Sequence, residues 1–309
     1  MGARFTGWGT ALPDKVVTNA DLAAHMDTND EWITERTGIK ERRHGGTTMS
    51  LSVEAGAKAL AMAGVDPLDI DLVILATTTP DQQVPATSAS VQNALGCLNA
   101  GAMDLNAACS GFVYGLVAAH GMMAVGSKKI LLIGAETLSR ITDQTDRNTA
   151  ILFADGAGAA VLEATDGPGE LLAWDLNADG SAVNILNADI GGYLTMDGRE
   201  VFRRAVRVMV DSGKKSMTAA GITADQLTLV VPHQANIRII QSACDKLDIP
   251  MEKAAIVLHR TGNTSSASIP LALVDALEAG RVKDGDYVLL VGFGAGMTSA
   301  SAVIKWGQA

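Results

Sequence analysis

The segment Ile130-Leu-Leu-Ile-Gly134 recurs further along the chain as Val288-Leu-Leu-Val-Gly292. A second apolar segment, Asp69-Ile-Asp-Leu-Val-Ile-Leu75, resembles Gln226-Leu-Thr-Leu-Val-Val231. The two pairs are offset by 158 residues (130 to 288) and 157 residues (72 to 229). One match between apolar strands is weak, but two at nearly the same offset, each preceded by a similar helical pattern, indicate a duplicated fold.

Buried strands and helical patterns alternate along the chain, which predicts an α/β protein with mainly parallel sheets. The turn-rich segment Ala164–Gly169 divides it into an N-terminal half, residues 1–165, and a C-terminal half, residues 166–309. The predicted strands are 71–76, 129–133, 227–231, 255–258 and 287–291, with a further strand over 297–306. The predicted helices are 51–63, 87–95, 111–125, 201–220, 237–247 and 268–279.

The composition excludes several classes of protein. The chain has 309 residues, of which 48% are hydrophobic and 19% charged, so it can bury a large core and is not disordered. Its net charge of −10 argues against a nucleic-acid binder, which needs a basic surface for phosphate contacts. No apolar run approaches the roughly 20 residues that span a bilayer, and the N-terminus lacks the pattern of a signal peptide.

The number and spacing of the cysteines indicate the cellular compartment. Cys97, Cys109 and Cys244 are too few and too scattered for a disulfide framework, and no Cys or His pair has zinc-ligand spacing. We therefore expect a cytoplasmic protein without a metal, in which a single cysteine is free to act as a nucleophile. Cys97 and Cys244 fall within helical patterns and are expected in the core.

Cys109 lies where a predicted strand turns into a helix, within Met103–Leu116. Backbone N–H groups and the dipole at a helix N-terminus favour the thiolate, which is the reactive form of cysteine. The position therefore suits a covalent nucleophile, although a small buried core residue is the alternative on local sequence alone.

His233 and Asn263 each follow a predicted strand. His233 lies in Pro232-His-Gln-Ala-Asn236, directly after a buried strand, where parallel α/β proteins bind ligands. Asn263 lies in a small polar loop and, by the internal repeat, occupies roughly the position of Cys109 in the other half. An ordinary N-capping turn is the alternative for Asn263.

The glycine-rich segment Gly292-Phe-Gly-Ala-Gly296 follows the last strong strand. It lacks the pattern of a dinucleotide-binding turn, because a strand rather than a helix follows it. We expect a tight turn between two strands, with backbone N–H groups that help to form an oxyanion hole.

These motifs together resemble a known family. Ala-Ala-Cys109-Ser-Gly-Phe, Pro-His233-Gln-Ala-Asn and Gly-Asn263-Thr-Ser, in this order, resemble the Cys–His–Asn set of the thiolase superfamily. From Gly7 to the C-terminus the chain is similar to the β-ketoacyl-acyl-carrier-protein synthases III. Further motifs that carry the resemblance are Asn29–Ile33, Arg36–Ile39, Thr145–Thr149 and Asp155–Gly158.

The resemblance implies a thiolase-like duplicated fold, a five-layer αβαβα sandwich, and a homodimer. It implies that Cys109 accepts the acyl group of a short acyl-CoA, and that malonyl-acyl-carrier-protein then binds and loses carbon dioxide. His233 and Asn263 would donate hydrogen bonds to its thioester carbonyl, with His233 neutral. The backbone N–H groups of Cys109 and Ala295 would hold the oxyanion. No cofactor is required, since the CoA thioester is a substrate.

The resemblance also assigns binding residues. It places Trp32 and Arg147 on the two faces of the CoA adenine and Arg36 beside the CoA phosphates, with Asn236 as a further CoA contact. The predicted helix over 199–215 carries six basic residues against two acidic ones, a net charge of +4, and its cations recur at offsets of four and seven residues, which predicts one helix face. A solvated face is the alternative, but since the family's partner is an acidic carrier protein, we expect this face to dock it. The docking residues are Arg203, Arg207, Lys214 and Arg238. The acyl pocket would include Phe293 and Val84. Val84 matches a position where the dimer partner closes the pocket, and it is small enough to leave room for a longer or branched primer.

Other functions compete with this prediction. The same Cys–His–Asn set serves condensing enzymes and acyltransferases of secondary metabolism, which is the closest alternative. A degradative thiolase needs a second cysteine near the C-terminal glycine turn, and Gly292–Met297 has none. A papain-like protease is disfavoured because its characteristic motif around the cysteine is absent at Cys109. A non-catalytic protein that binds the carrier protein would have lost part of the Cys–His–Asn set, and all three residues are present.

Overall fold

A computed structural model describes residues 2–308 of the chain. The strands are β1 (Gly2–Ala11), β2 (Val16–Thr18), β3 (Glu41–Arg43), β4 (Leu72–Ala76), β5 (Gly101–Leu105), β6 (Lys129–Thr137), β7 (Asp155–Thr165), β8 (Leu171–Ala178), β9 (Leu186–Asn187), β10 (Thr195–Met196), β11 (Leu227–Pro232), β12 (Tyr287–Gly294) and β13 (Thr298–Lys305). The helices are α1 (Asn19–Ala23), α2 (Asp30–Thr37), α3 (Thr48–Ala63), α4 (Thr87–Leu95), α5 (Gly111–Ala124), α6 (Arg147–Ala150), α7 (Gly198–Ala220), α8 (Ile237–Lys246), α9 (Leu258–Thr261) and α10 (Ser268–Glu278).

Two large sheets repeat one topology. The first has the order β1-β7-β6-β4-β5 and the second the order β8-β13-β12-β11. The parallel pair β4–β6 of the first sheet corresponds to β11–β12 of the second, and each is continued on one side by two antiparallel strands. The first sheet has one further parallel pair, β4–β5, at its edge. The sheets are therefore mixed rather than mainly parallel as expected, because short turns such as that between β12 and β13 return the chain antiparallel.

The helices complete five layers. Helices α5 and α10 pack between the two sheets, α3 and α4 cover the outer face of the first sheet, and α7 and α8 cover that of the second. Ala, Val, Leu and Ile side chains from both sheets and both central helices form one core cluster there. The predicted αβαβα sandwich is confirmed. No helix within residues 2–308 combines the length and the apolar character that a membrane crossing requires.

One predicted strand, 255–258, is wrong. The segment meets the second sheet only through a single bridge between Val230 and Ala254, and α9 begins at Leu258. The buried side chain of Gln234 explains the difference. Its Oε1 accepts the N–H groups of Val257 and Leu258 at 3.0 and 3.2 Å, so these groups are paired without a neighbouring strand.

A buried carboxylate joins the two ends of the chain. Glu170 is 2% exposed and accepts the backbone N–H groups of Phe5 and Gly307, each at 2.7 Å. Burial raises the pKa of Glu170 from 4.5 to about 7, although the two hydrogen bonds lower it in part.

This raised pKa predicts a pH dependence of stability. Between pH 4.5 and about 7 the folded state holds a proton on Glu170 that the unfolded state has released, so stability falls as the pH rises through this window. Across this window the free energy of unfolding of a Glu170→Gln variant should fall by about 3 kcal/mol less than that of the wild type. Urea unfolding at pH 4.5 and pH 7.5 measures the difference, and equal losses in the two proteins would contradict it.

Candidate active site

Cys109 lies in a tight turn, Ala108–Ser110, directly before the central helix α5. Ala108 adopts a left-handed conformation with φ of 49°, which turns the chain sharply between β5 and α5. The turn brings Cys109 into the interior, where it is 7% exposed.

Burial dominates the chemistry of the Cys109 thiol. It raises the pKa of Cys109 to about 12, opposed by a hydrogen bond from the Ser265 side chain. The expectation that the helix N-terminus would favour the thiolate is therefore not met. The sequence indicated the helix end but not the depth at which the cysteine is buried.

His233 follows β11 and is held on both sides. Its backbone N–H donates to Val291 O at 2.9 Å, and its ring meets the Phe293 ring edge-on at 5.3 Å. His233 is 1% exposed, and burial lowers its pKa to about 3, so the imidazole is neutral at physiological pH.

Ser268 orients the His233 ring. Its hydroxyl lies 2.6 Å from Nδ1 of His233 and accepts the backbone N–H of Gln234 at 3.3 Å. When the Ser268 hydroxyl donates to Nδ1, the ring proton lies on Nε2, which is then the donor facing the cavity. Sequence reasoning missed Ser268, whose only signal is its position at the start of α10.

Asn263 is positioned by its own loop and by the other half of the chain. Its Oδ1 accepts the Ser265 N–H at 2.9 Å, which leaves its Nδ2 free to donate. Its backbone N–H donates to Leu152 O and its carbonyl accepts from Ala154 N, both at 2.9 Å. Asn263 is thereby fixed next to Phe153 of the N-terminal half.

The internal repeat is closer in structure than in sequence. Ala108 and Ser265, 157 residues apart, both have left-handed φ, at 49° and 48°. Each turn is stabilised by an asparagine whose Oδ1 accepts a backbone N–H, Asn106 before Ala108 and Asn263 before Ser265. The residue equivalent to Asn263 is therefore Asn106, and Cys109 corresponds to Ser266 rather than to Asn263.

The glycine turn after β12 approaches the nucleophile closely. A Cβ at Gly294 would lie 2.6 Å from Cys109 N and 2.8 Å from Ala108 Cβ, so a side chain there requires the turn to move. Ala295 follows this turn and shares a cavity with Cys109. The backbone of the turn thus faces the reacting sulfur.

Two cavities meet at Cys109. The first has a volume of about 780 Å³ and brings Cys109, His233 and Asn263 together. Its outer part is lined by Trp32, Arg36, Arg199, Phe202, Asn236 and Arg238. A polar, cationic mouth thus leads to a buried thiol, an imidazole and an amide.

Two guanidinium groups lie over the indole ring of Trp32 at this mouth. Arg36 lies 4.6 Å and Arg147 4.8 Å from the centre of the indole ring. Arg147 also donates to Asp27 O at 2.7 Å. A base that enters between Trp32 and Arg147 must therefore displace Arg147 from the ring.

The other two predicted residues at the mouth are also held by neighbours. Asn236 caps α8 by accepting the Arg238 N–H and donates to Arg36 O, both at 2.8 Å, so its side chain holds Arg36 in place. Arg238 lies 5.8 Å from the centre of the Phe202 ring.

The second cavity, of about 370 Å³, extends from Cys109 in another direction. Its apolar lining is Leu138, Ile141, Phe153, Val183, Leu186 and Leu194. Neither residue predicted for the acyl pocket lines it. Phe293 lies in the first cavity because its ring packs against His233, and Val84 is 82% exposed on the surface.

The basic helix is α7. Arg203, Arg207 and Lys214 are exposed on one face, as their spacing predicts. Part of their charge is paired, since Arg203 donates to Glu200 at 2.6 Å and Arg207 lies 3.7 Å from Asp211. Among the described residues, Lys214 makes no ion pair, whereas its neighbour Lys215 pairs with Asp175.

No cluster of three or more metal-ligating side chains occurs within residues 2–308.

The chain is similar to proteins of one family. Two family models match, that of 3-oxoacyl-[acyl-carrier-protein (ACP)] synthase III over residues 103–180 and that of its C-terminal part over residues 217–306. β-Ketoacyl-[acyl-carrier-protein] synthase III of Roseiflexus castenholzii is 47% identical over 98% of both chains. Synthase III 1 of Bacillus anthracis is 47% identical over the full length of both. The crystal structure of 3-oxoacyl-[acyl-carrier-protein] synthase III from Aquifex aeolicus has a TM-score of 0.97 and 43% identity, covering 99% of this chain and 100% of that one.

The contact between Ser268 and His233 predicts a fixed tautomer. In ¹⁵N NMR spectra the His233 ring should be the neutral Nε2–H form throughout pH 5–8, because burial holds its pKa far below this range. Ser268→Ala should give a mixture of both tautomers. Ser212→Ala, which removes another buried serine bonded to Ser301, is the control and should leave the spectrum unchanged. A wild-type ring that titrates near pH 6.5 would refute the assignment.

Proposed function

The chain belongs to the β-ketoacyl-[acyl-carrier-protein] synthase III family, and we propose that Cys109, His233 and Asn263 carry its condensation reaction. It is an acyltransferase and an initiating condensing enzyme of fatty-acid synthesis. The reaction joins the acyl group of a short acyl-CoA to malonyl-acyl-carrier-protein and yields 3-ketoacyl-acyl-carrier-protein, carbon dioxide and free CoA. The observation that carries the residue assignment is the convergence of these three side chains on one cavity with a cationic mouth.

In the first half-reaction Cys109 Sγ attacks the carbonyl carbon of the acyl-CoA. The new carbon–sulfur bond replaces the bond to CoA, and the thiol proton leaves with CoA as its free thiol. Because burial raises the pKa of Cys109 to about 12, the thiol stays protonated until a thioester is bound. The backbone N–H groups of Cys109 and Ala295 stabilise the oxyanion of the tetrahedral intermediate, and one such donor is typically worth about 10²–10³ in rate.

In the second half-reaction the malonyl thioester carbonyl accepts hydrogen bonds from His233 Nε2 and Asn263 Nδ2. Loss of carbon dioxide leaves an enolate whose negative charge these donors stabilise. The enolate carbon attacks the acyl group on Cys109, and the cysteine sulfur leaves as a thiolate, which takes up a proton from solvent to restore the thiol. A neutral imidazole suits this role, and burial lowers the pKa of His233 to about 3, which keeps it neutral.

The mouth of the first cavity suits the nucleotide part of CoA. The adenine stacks on Trp32 in place of the Arg147 guanidinium, which then packs on its other face, and Arg36 contacts the phosphates. Asn236 contributes by holding Arg36 through its backbone carbonyl. Neither a metal nor a redox cofactor is needed, because the thioester and the departing carbon dioxide drive the reaction.

The exposed face of α7 suits the carrier protein. Arg203, Arg207 and Lys214 project from it, and Arg238 extends the cationic surface to the mouth of the first cavity. An acidic partner is attracted to such a surface in spite of the net charge of −10 of the chain. A carrier protein docked there delivers its flexible arm to Cys109.

The second cavity suits the acyl chain. A methyl group is about the size of a water molecule, whose share of liquid volume is about 30 Å³. A cavity of about 370 Å³ with six apolar side chains is therefore much larger than an acetyl group requires. We assign it to primers longer than acetyl or branched.

The chain also suits a homodimer and a reducing compartment. Strand β5 lies at the edge of the first sheet, and exposed edge strands tend to pair with another chain. Two copies related by a two-fold axis would pair β5 antiparallel and place exposed Val84 against the partner. All three cysteines are unpaired, which agrees with the cytoplasm.

The assignment of Cys109 is tested by mass spectrometry after incubation with acetyl-, isobutyryl- or octanoyl-CoA. The wild type should gain one acyl group, with turnover highest for the larger primers, and should release carbon dioxide from malonyl-acyl-carrier-protein. Cys109→Ala should gain none. An acylated Cys109→Ala variant would refute the assignment, and strict preference for acetyl would refute that of the second cavity. Acyl transfer to another acceptor without carbon dioxide release would favour the secondary-metabolism alternative.

If the exposed face of α7 docks the carrier protein, charge reversal there should weaken the use of malonyl-acyl-carrier-protein but not that of acyl-CoA. Arg207→Glu with Lys214→Glu should raise the KM for malonyl-acyl-carrier-protein by about threefold to tenfold, since charge reversal weakens attraction to an acidic partner. The rate of Cys109 acylation by acyl-CoA should not change. Lys128→Glu reverses an exposed charge in the other half and serves as the control. Equal effects in both proteins would exclude α7 as the docking helix.

A further inference from the structure

Glu136 is a fully buried carboxylate near the active site that the mechanism does not use. It lies near the end of β6 and is 0% exposed. It accepts the hydroxyls of Thr77, Thr78 and Thr79 at 3.2, 3.0 and 2.6 Å and the Thr78 N–H at 3.1 Å. The Ser266 hydroxyl completes the set at 2.9 Å. Burial raises the pKa of Glu136, and these donors oppose the rise.

The donors come from both halves of the chain. Thr77–Thr79 form the loop after β4, and Thr78 lines the second cavity beside Cys109. Ser266 belongs to the C-terminal half, in the turn Ser265–Ala267 that follows Asn263. The single carboxylate therefore connects one wall of the acyl cavity to the loop that carries Asn263.

The contact between these halves is tight. The Ser266 hydroxyl also lies 2.8 Å from Ala76 O, so it has two possible acceptors in the N-terminal half. A Cβ at Gly134, two residues before Glu136, would collide with the Ser266 carbonyl. The negative charge of Glu136 also contributes to the raised pKa of Cys109, which reflects how near it is to the nucleophile.

We propose that Glu136 is a positioning residue for the condensation step, which holds the Asn263 loop against the Thr77–Thr79 loop through its hydrogen bond with Ser266. The inference rests on the proposed function of Asn263 as a donor to the malonyl thioester. Loss of the link lets Asn263 Nδ2 move away from the carbonyl that it stabilises, and displacements of about 1 Å at a reacting centre cost up to about 10² in rate.

Three variants separate the link from the charge. Glu136→Ala removes both, and Ser266→Ala removes the link but keeps the charge. Glu136→Gln removes the charge but keeps a link, because its amide donates to the Ser266 oxygen while that hydroxyl donates to Ala76 O. Glu170→Ala removes a buried carboxylate at the chain ends, far from Cys109, and is the matched control.

The readouts are the rate of Cys109 acylation by acyl-CoA and the kcat and KM of carbon dioxide release. We expect Glu136→Ala and Ser266→Ala to lower kcat by about tenfold, with the KM for malonyl-acyl-carrier-protein within about twofold of the wild type. Acylation should stay within about threefold, because that step does not use Asn263. Glu136→Gln should recover most of the lost kcat, and Glu170→Ala should keep the wild-type value.

Several results would overturn the inference. Wild-type kcat in Ser266→Ala and Glu136→Ala would do so, as would an equal loss in Glu170→Ala. A loss in Glu136→Gln as large as in Glu136→Ala would assign the effect to the charge instead of the link. If Glu136→Ala fails to fold, Ser266→Ala alone decides. Failure of the proposed function is distinct, since the wild type itself would then release no carbon dioxide.

Discussion

The active site depends on one backbone turn that the duplicated chain uses twice. Ala108 and Ser265 both take left-handed φ values, which cost about 1–3 kcal/mol at a residue other than glycine. Each turn reverses the chain at the start of a central helix, α5 or α10. Both helices lie between the sheets, and the two turns contact each other directly and converge on one cavity. Duplication thus supplies Cys109, the proposed nucleophile, from one turn and Asn263, the proposed amide donor, from the other.

Burial by the five layers decides the protonation states in this cavity. It raises the pKa of Cys109 and lowers that of His233, so both groups are neutral before substrate binds. A neutral pair suits a site that must first accept an uncharged thioester and later stabilise a transient enolate. The cost is that neither side chain is activated in advance, so the hydrogen bonds that orient them, from Ser265 and Ser268, become important.

Much of the fold could be predicted from local patterns, because apolar strands and amphipathic helices leave periodic signals. Helix α4 was predicted to the residue, and both repeated strand pairs lie at equivalent places in the two sheets. The wrong strand at 255–258 shows the limit, since Gln234 satisfies that backbone from a distant side chain. Ser268, which contacts His233, and Glu136, which contacts Ser266, were missed for the same reason, as these two contacts span at least 35 residues. Position in sequence indicated Cys109, His233 and Asn263, whereas their orientation depends on tertiary contacts.

The geometry of the two cavities constrains the order of events. In the proposed mechanism the acyl chain and the thioester-bearing arm occupy the two different cavities that meet at Cys109, so the acyl group can remain in place while the arm is exchanged. CoA and the carrier-protein arm, however, must both reach Cys109 past Trp32, Arg36 and Arg238. The two cannot occupy this passage at once, so CoA has to leave before the malonyl group enters. In this mechanism the covalent acyl-cysteine preserves the primer during that exchange, which is the advantage of a nucleophile over a site that binds both substrates together.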